Sequence, residues 1–185
     1  MVKPLKSNVD KTRHKLAKTS MIKILFICHG NICRSPMAEA ILKDMARREH
    51  LDNRLVIASA ATSTEEIWHG EGNPIYLPAR SMLAEHGIGT PENDLGCEEK
   101  RARQMTREDY RQFDFLIGMD RENLREMRRI AGGDPDGKIC LLTDFTARGG
   151  EIADPWYTRD FEAAWRDIRD GCAGLMQVLK TRKLI

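Results

Sequence analysis

Apolar positions along this chain fall into two kinds of run. Short, continuous, β-branched runs read as strands covered on both faces, and longer runs with an apolar residue every three or four positions read as helices with one buried face. Ile22, Ile24, Leu25, Phe26 and Ile27 make the first strand. The pattern breaks at Cys28, where His29-Gly30-Asn31 brings turn residues and Ser35-Pro36 offers an N-cap and a first-turn proline. A helix should follow, because Met37, Ala38, Ile41, Leu42 and Met45 recur at helical spacing.

The same two patterns then alternate to the end. Residues 54–60 read as a second strand, 79–86 as a helix stopped by Gly87, 113–118 as a third strand and 138–142 as a fourth. Thr106-Arg-Glu-Asp109 has the spacing of a capping box, and Asp120 can cap a helix whose stripe is Leu124, Met127 and Ile130 and whose stop is Gly132-Gly133. Phe161, Ala164, Trp165, Ile168, Cys172, Leu175, Met176 and Leu179 trace one face of a long last helix. Alternating strands and helices with short connections imply parallel pairing and right-handed crossovers, hence an α/β fold: a three-layer α/β/α sandwich on a four-stranded parallel sheet.

Between these elements lie two loops and a charged connection. Residues 62–78 are rich in Gly, Pro and turn residues and carry Ile67, Trp68 and Tyr76, so they should overhang the carboxyl ends of the strands. Ile67 or Trp68 is placed to meet a ligand there, and burial of Trp68 in the core is equally open. Residues 92–103 read as solvated surface, with Cys97 unpaired within it. The longest gap, 144–157, ends in Ala153-Asp154-Pro155-Trp156-Tyr157, and a long loop in a compact unit invites a functional reading.

Composition changes the picture at the amino terminus. The 185 residues, 41% hydrophobic, suffice for one substantial core and not comfortably for two. The net charge is +2, yet residues 1–20 hold six Lys/Arg against one Asp, so the rest of the chain is net acidic. Residues 1–20, without aromatics or apolar periodicity, read as a disordered basic extension ahead of a single domain, 21–185. Six scattered cations are thin evidence for a nucleic-acid arm, so no nucleic acid is expected. The apolar run after Met21 is short, interrupted by Lys23 and lacks a cleavage site, which rules against a signal peptide, and no stretch approaches ~20 apolar residues, so no membrane partner is expected. Five cysteines, an odd number, favour reduced thiols and a cytoplasmic setting. Nothing in the sequence reads out an oligomeric state.

The candidate chemistry sits in the first loop. Backbone N–H groups turned inward, backed by a helix N-terminus, form a concavity for a phosphate-sized anion. The same field favours a thiolate, lowering a cysteine pKa from ~8.5 by roughly one to several units. Cys28 is therefore the candidate nucleophile, and Arg34 adds a planar fork able to grip two phosphoryl oxygens. Ser35 can hydrogen-bond the sulfur and make it a better leaving group. A cysteine that takes a phosphoryl group needs an acid for the leaving oxygen and then a base for water, and Asp154 is the candidate. No second Cys or His pair completes a metal site with Cys28 and Cys33, so neither metal nor cofactor is expected. Cys33, five residues from Cys28, is the expected partner in a reversible, protective disulfide.

The segment Cys28-x5-Arg34-Ser35, within C-H-G-N-I-C-R-S-P-x-A-E, resembles the signature of the low molecular weight protein tyrosine phosphatases. The resemblance runs from Met21 to the C-terminus. It implies the flavodoxin-like strand order 2-1-3-4 and metal-independent hydrolysis of protein phosphotyrosine through a cysteinyl phosphate. His29, Gly30, Asn31, Ile32, Cys33, Arg34 and Ser35 would then bind phosphate. Ser59 would help to fix the loop through Asn31, and His86, in the matching His-Gly pair, would support it as well. Asp154-Pro155-Trp156-Tyr157 matches the general-acid motif, with Trp156 and Tyr157 as walls for an aromatic leaving group, although Trp156 stands where the family often has tyrosine. Tyr157 remains as a phosphorylation candidate. Arsenate reductases of this fold need further resolving cysteines, and arginine-phosphate phosphatases tend to carry threonine where this chain has Ile32.

Overall fold

The computed structural model describes residues 21–185; the basic segment 1–20 lies outside the described residues. Four parallel strands form the sheet in the order β2-β1-β5-β6: β1 Ile22–Cys28, β2 Leu55–Ala61, β5 Phe115–Gly118 and β6 Ile139–Leu141. Counting these four alone, the order is the expected 2-1-3-4. The two remaining strands, β3 Ile67–Trp68 and β4 Glu71–Gly72, make a small antiparallel hairpin in the turn-rich loop.

Because β1 is central and apolar but for the exposed Lys23, its alternate side chains feed two different cores. Ile22, Ile24, Phe26 and Cys28 face α1 (Arg34–Arg48), α2 (Leu77–Glu85) and α6 (Phe161–Thr181), where they meet Ile41, Leu83, Trp165 and Leu175. Leu25 and Ile27 face α3 (Arg107–Gln112) and α4 (Arg121–Ala131), with Tyr110, Leu116 and Met127. Each fully buried Leu or Ile here contributes ~1.5–3 kcal/mol of transfer free energy. The last element before α6 is a single turn, α5 (Pro155–Thr158).

The capping signals at two helices behave as read. Thr106 and Asp109 form a reciprocal capping box on α3, and Asp120 accepts from the Asn123 amide at the start of α4, which stops at Gly132 in the left-handed region (φ 79°). At α1 the expectation fails. The helix begins at Arg34, its N-cap is Cys33 without a side-chain cap, and Ser35 and Pro36 lie inside the first turn. Ser35 is engaged elsewhere, and Pro36 costs nothing because first-turn N–H groups have no acceptor within the helix. Early amides without a side-chain cap are left to face the loop.

Candidate active site

The loop 28–35 connects β1 to α1 at the carboxyl edge of the sheet. Its carbonyls are taken from outside: the Thr62, Ser63 and Tyr76 amides donate to Cys28, His29 and Ile32 at 2.9, 3.0 and 2.8 Å. With carbonyls turned outward, the N–H groups line a concave side. Asn31 holds the left-handed conformation (φ 59°) that makes this turn, and asparagine tolerates it better than most residues. Its buried amide nitrogen donates to Ser35 Oγ at 2.9 Å and to Ser59 Oγ at 2.8 Å, while the Arg103 amide donates to its Oδ1 at 3.2 Å. Ser35 Oγ lies 3.1 Å from Cys28 Sγ.

Arg34 reaches across the cleft, almost wholly buried. One guanidinium nitrogen donates to Asp120 Oδ2 at 2.6 Å and to the Ile152 carbonyl at 3.1 Å; the other pairs with Asp154. Its Nε is buried and has no partner among the described residues, so one donor of the fork is left for an anion. Burial alone would lower the Arg34 pKa, but the charges of Cys28, Asp154 and Asp120 outweigh it and hold the cation above its ordinary range. Asp154 also caps α5, accepting from the Trp156 amide at 3.0 Å. Asp120 is a site residue that the sequence reading used only as a helix cap.

A second group went unread as well. Glu39, five positions into α1, is 9% exposed, and its carboxylate accepts from Ser59 Oγ at 2.6 Å, Lys43 Nζ at 2.6 Å and Lys100 Nζ at 3.1 Å. Burial pushes the Glu39 pKa up, but the two ammonium groups and Ser59 prevail and keep it below the usual carboxylate range. Lys100 lies in the charged connection expected to be solvated; its Nζ instead turns inward and also donates to the Ser59 carbonyl at 3.1 Å. Only the motif's terminal Glu39 hinted at this group. Cys33 differs from its neighbour: burial first, then the negative groups at Cys28 and Asp154, push its thiol far up.

Cys28, His29, Gly30, Ile32, Cys33 and Arg34 line a cleft of about 140 Å³ together with Glu65, Glu66, Asp154, Trp156 and Tyr157. Trp156 packs against Tyr76 with ring centroids 5.0 Å apart, whereas Tyr157 is 80% exposed. His29 Nε2 and Glu65 Oε2 meet at 2.9 Å on the rim. The candidates in the hairpin fare differently. Trp68 is 66% exposed rather than in the core, and neither it nor Ile67 lines the cleft; the preceding Glu65 and Glu66 do. His86 is also corrected. It caps the end of α2 and stacks on Trp165 of α6 at 4.0 Å, and the side chain that meets Asn31 of the loop is Ser59, at 2.8 Å. Among the described residues, no three His, Cys, Asp or Glu side chains converge to hold a metal ion.

Known proteins resemble this chain over most of its length. The profile described as low molecular weight phosphotyrosine protein phosphatase matches residues 23–184. The low molecular weight protein-tyrosine-phosphatase YfkJ of Bacillus subtilis is 35% identical over 165 residues, 88% of this chain and 99% of its own. Its crystal structure superposes with a TM-score of 0.77, covering 89% of this chain and 98% of the other. The low molecular weight phosphotyrosine protein phosphatase of Gallus gallus is 35% identical over 88% of this chain and 98% of its own. A Drosophila arginine phosphatase superposes with a TM-score of 0.73 at 29% identity, covering 86% and 98% of the two chains.

Proposed function

The chain belongs to the low molecular weight phosphotyrosine protein phosphatase family, and from that premise we propose how its own residues hydrolyse protein phosphotyrosine. The observation that carries the reading is the convergence of Cys28, Arg34 and Asp154 on one cleft with Ser35 3.1 Å from the sulfur. The Cys28 thiolate attacks phosphorus, forming an S–P bond as the ester P–O bond breaks, and Asp154 gives its proton to the departing phenolate. Arg34 and the loop N–H groups hold the equatorial oxygens. Asp154, now a carboxylate, then takes a proton from water as the water oxygen attacks phosphorus; phosphate leaves and the thiolate is restored. None of these steps calls for a metal.

Arg34 is paired with Asp154 in the structure, so a phosphoryl group must take the carboxylate's place on the fork. That exchange frees the Asp154 carboxylate, and a proton delivered by water or by a singly protonated substrate makes it the acid that the leaving oxygen needs. Trp156, Tyr157 and the apolar Ile32 form walls suited to an aromatic ring, which favours phosphotyrosine over arginine phosphate. Cys33 is read as the resolving thiol: a Cys28 sulfenic acid condenses with it to a disulfide and water, which thiol reductants reverse. A reducing, cytoplasmic setting fits five free cysteines.

The test is phosphate release from an aryl phosphate by wild type and by Cys28→Ser, with a chelator present throughout. Turnover by the wild type alone is expected. Equal turnover by both proteins overturns the assignment of Cys28, and turnover confined to arginine phosphate overturns the substrate class.

A further inference from the structure

Four polar side chains, Glu39, Ser59, Asn31 and Ser35, connect the partly buried Lys43 and Lys100 to the sulfur of Cys28, and the direction of each hydrogen bond can be worked out. An ionised carboxylate only accepts, so Ser59 spends its single proton on Glu39 Oε2 at 2.6 Å. Toward Asn31, Ser59 is then an acceptor, and the amide nitrogen 2.8 Å away must face it. The other proton of that nitrogen points at Ser35 Oγ, 2.9 Å away. Ser35 accepts there, so its own proton is free for Cys28 Sγ at 3.1 Å, with the Ala60 carbonyl more distant at 3.4 Å.

Flipping the Asn31 amide would reverse all of this. With its oxygen toward the serines, both hydroxyls would donate to Asn31 and the sulfur would lose its donor. Two groups oppose the flip: the Arg103 amide, which donates to Asn31 Oδ1 at 3.2 Å, and Glu39, which has already claimed the Ser59 proton. We propose that Glu39, held as a carboxylate by Lys43 and Lys100, is a positioning residue that sets the polarity of the Glu39–Ser59–Asn31–Ser35 chain so that Ser35 donates to the Cys28 thiolate. The proposal rests on Cys28 being the nucleophile.

The charged and titratable groups facing Glu39 come from two elements, Lys43 on α1 and Lys100 with Cys97 in the connection before α3. Burial raises the Cys97 thiol to about 11, so it stays protonated near neutrality and does not compete for Glu39's ion pairs. The charged and titratable groups that share the cleft with Cys28 are His29, Cys33, Arg34, Glu65, Glu66 and Asp154, and none of them is changed by substitution at Glu39. An effect at the sulfur must therefore travel through the serines.

The experiment follows alkylation of Cys28 by iodoacetamide against pH, alongside kcat and KM for an aryl phosphate, in wild type, Glu39→Gln, Ser59→Ala and the double variant. Loss of a hydrogen bond to a charged group is worth on the order of tenfold or more. Glu39→Gln is expected to slow alkylation roughly tenfold below neutrality, to reach the wild-type rate at high pH, and to lower kcat more than it raises KM. The double variant should be no worse than Ser59→Ala alone, because both interrupt one chain. A purely structural Glu39 would lower thermal stability and leave the alkylation profile in place, which overturns the proposal; so does additivity of the two substitutions. If Glu39→Gln does not fold, Lys100→Met, which leaves Lys43 on the carboxylate, should move the profile in the same direction by less, and an unmoved profile overturns the proposal. Activity surviving in Cys28→Ser marks failure of the nucleophile assignment instead, whatever Glu39 does.

Discussion

Asp120 Oδ2 lies 2.6 Å from Arg34 Nη1, while its Oδ1 takes the Asn123 amide at 2.7 Å. One carboxylate thus starts α4 and orients the arginine of the cleft. Asp120→Asn preserves a good helix cap while removing the charge behind Arg34. We expect kcat/KM for an aryl phosphate to fall on the order of tenfold to a hundredfold, since a hydrogen bond to a charged group is worth ~1.5–3 kcal/mol, with the thermal midpoint little changed. Steady-state kinetics with a melting curve separates the two roles.

Asp154→Asn removes both the proposed acid and the anion that Arg34 now holds. Turnover of a phosphotyrosine peptide should fall on the order of 10²–10⁴-fold, and less with a nitrophenolate that leaves without help. Binding of inorganic phosphate should hold or tighten, because its competitor for the fork has gone. A near-normal rate on the peptide would remove Asp154 from the mechanism.

The thiols of the cleft should react unequally. Burial and neighbouring negative groups keep Cys33 protonated, so mass spectrometry after brief alkylation at neutral pH should find the label on Cys28 and not on Cys33. Peroxide inactivation should be reversed by dithiothreitol in wild type and become irreversible in Cys33→Ser.

Acid should loosen the fold through two carboxylates. Burial raises the Asp109 pKa, but Arg103, which it accepts at 2.9 and 3.0 Å, and Thr106 bring it below the ordinary carboxylate range, as the lysines do for Glu39. A depressed folded value means that both contributions are complete above the ordinary carboxylate range and drain away as pH falls below it. Each carboxylate adds a slope of up to about 1.4 kcal/mol per pH unit while it titrates. Urea unfolding at a series of acidic pH values should show a shallower decline for Asp109→Asn.

Alanine should be harmful in α6 where helix propensity alone would favour it by about 1 kcal/mol. A Cβ at Gly174 would lie 2.0 Å from the Phe145 carbonyl oxygen, and one at Gly171 would lie 2.5 Å from Leu142 Cγ. A backbone carbonyl cannot step aside as a leucine can. Gly174→Ala should therefore lower the thermal midpoint further than Gly171→Ala, and a stabilised Gly174→Ala would contradict the packing.

The sheet was legible because burial on both faces leaves a continuous apolar run, and β1 carries it from Ile24 to Cys28. The cradle was legible because Cys28, Arg34 and the turn residues fall within one short segment. Glu39, Lys100 and Asp120 were not: an isolated charge looks the same whether it faces water or a buried partner, and their partners lie 20, 61 and 86 positions away. Ser35 misled for a related reason. A serine before a helix usually caps it, but a sulfur at 3.1 Å outbid the amides. His86 was placed by the His-Gly pair that the resemblance matched and Trp68 by its turn-rich loop, and neither says which way the segment packs.

The Arg34–Asp154 pair makes the cleft an ion exchanger instead of an anion trap. An incoming ligand must displace a resident carboxylate carrying one negative charge, so a monoanion gains little from the swap and a phosphate monoester dianion gains a full charge. Sulfate esters and phosphodiesters, which offer a single charge at neutral pH, are discriminated against before any chemistry begins. In the proposed cycle the same exchange runs backwards at the end, the returning carboxylate helping to expel inorganic phosphate.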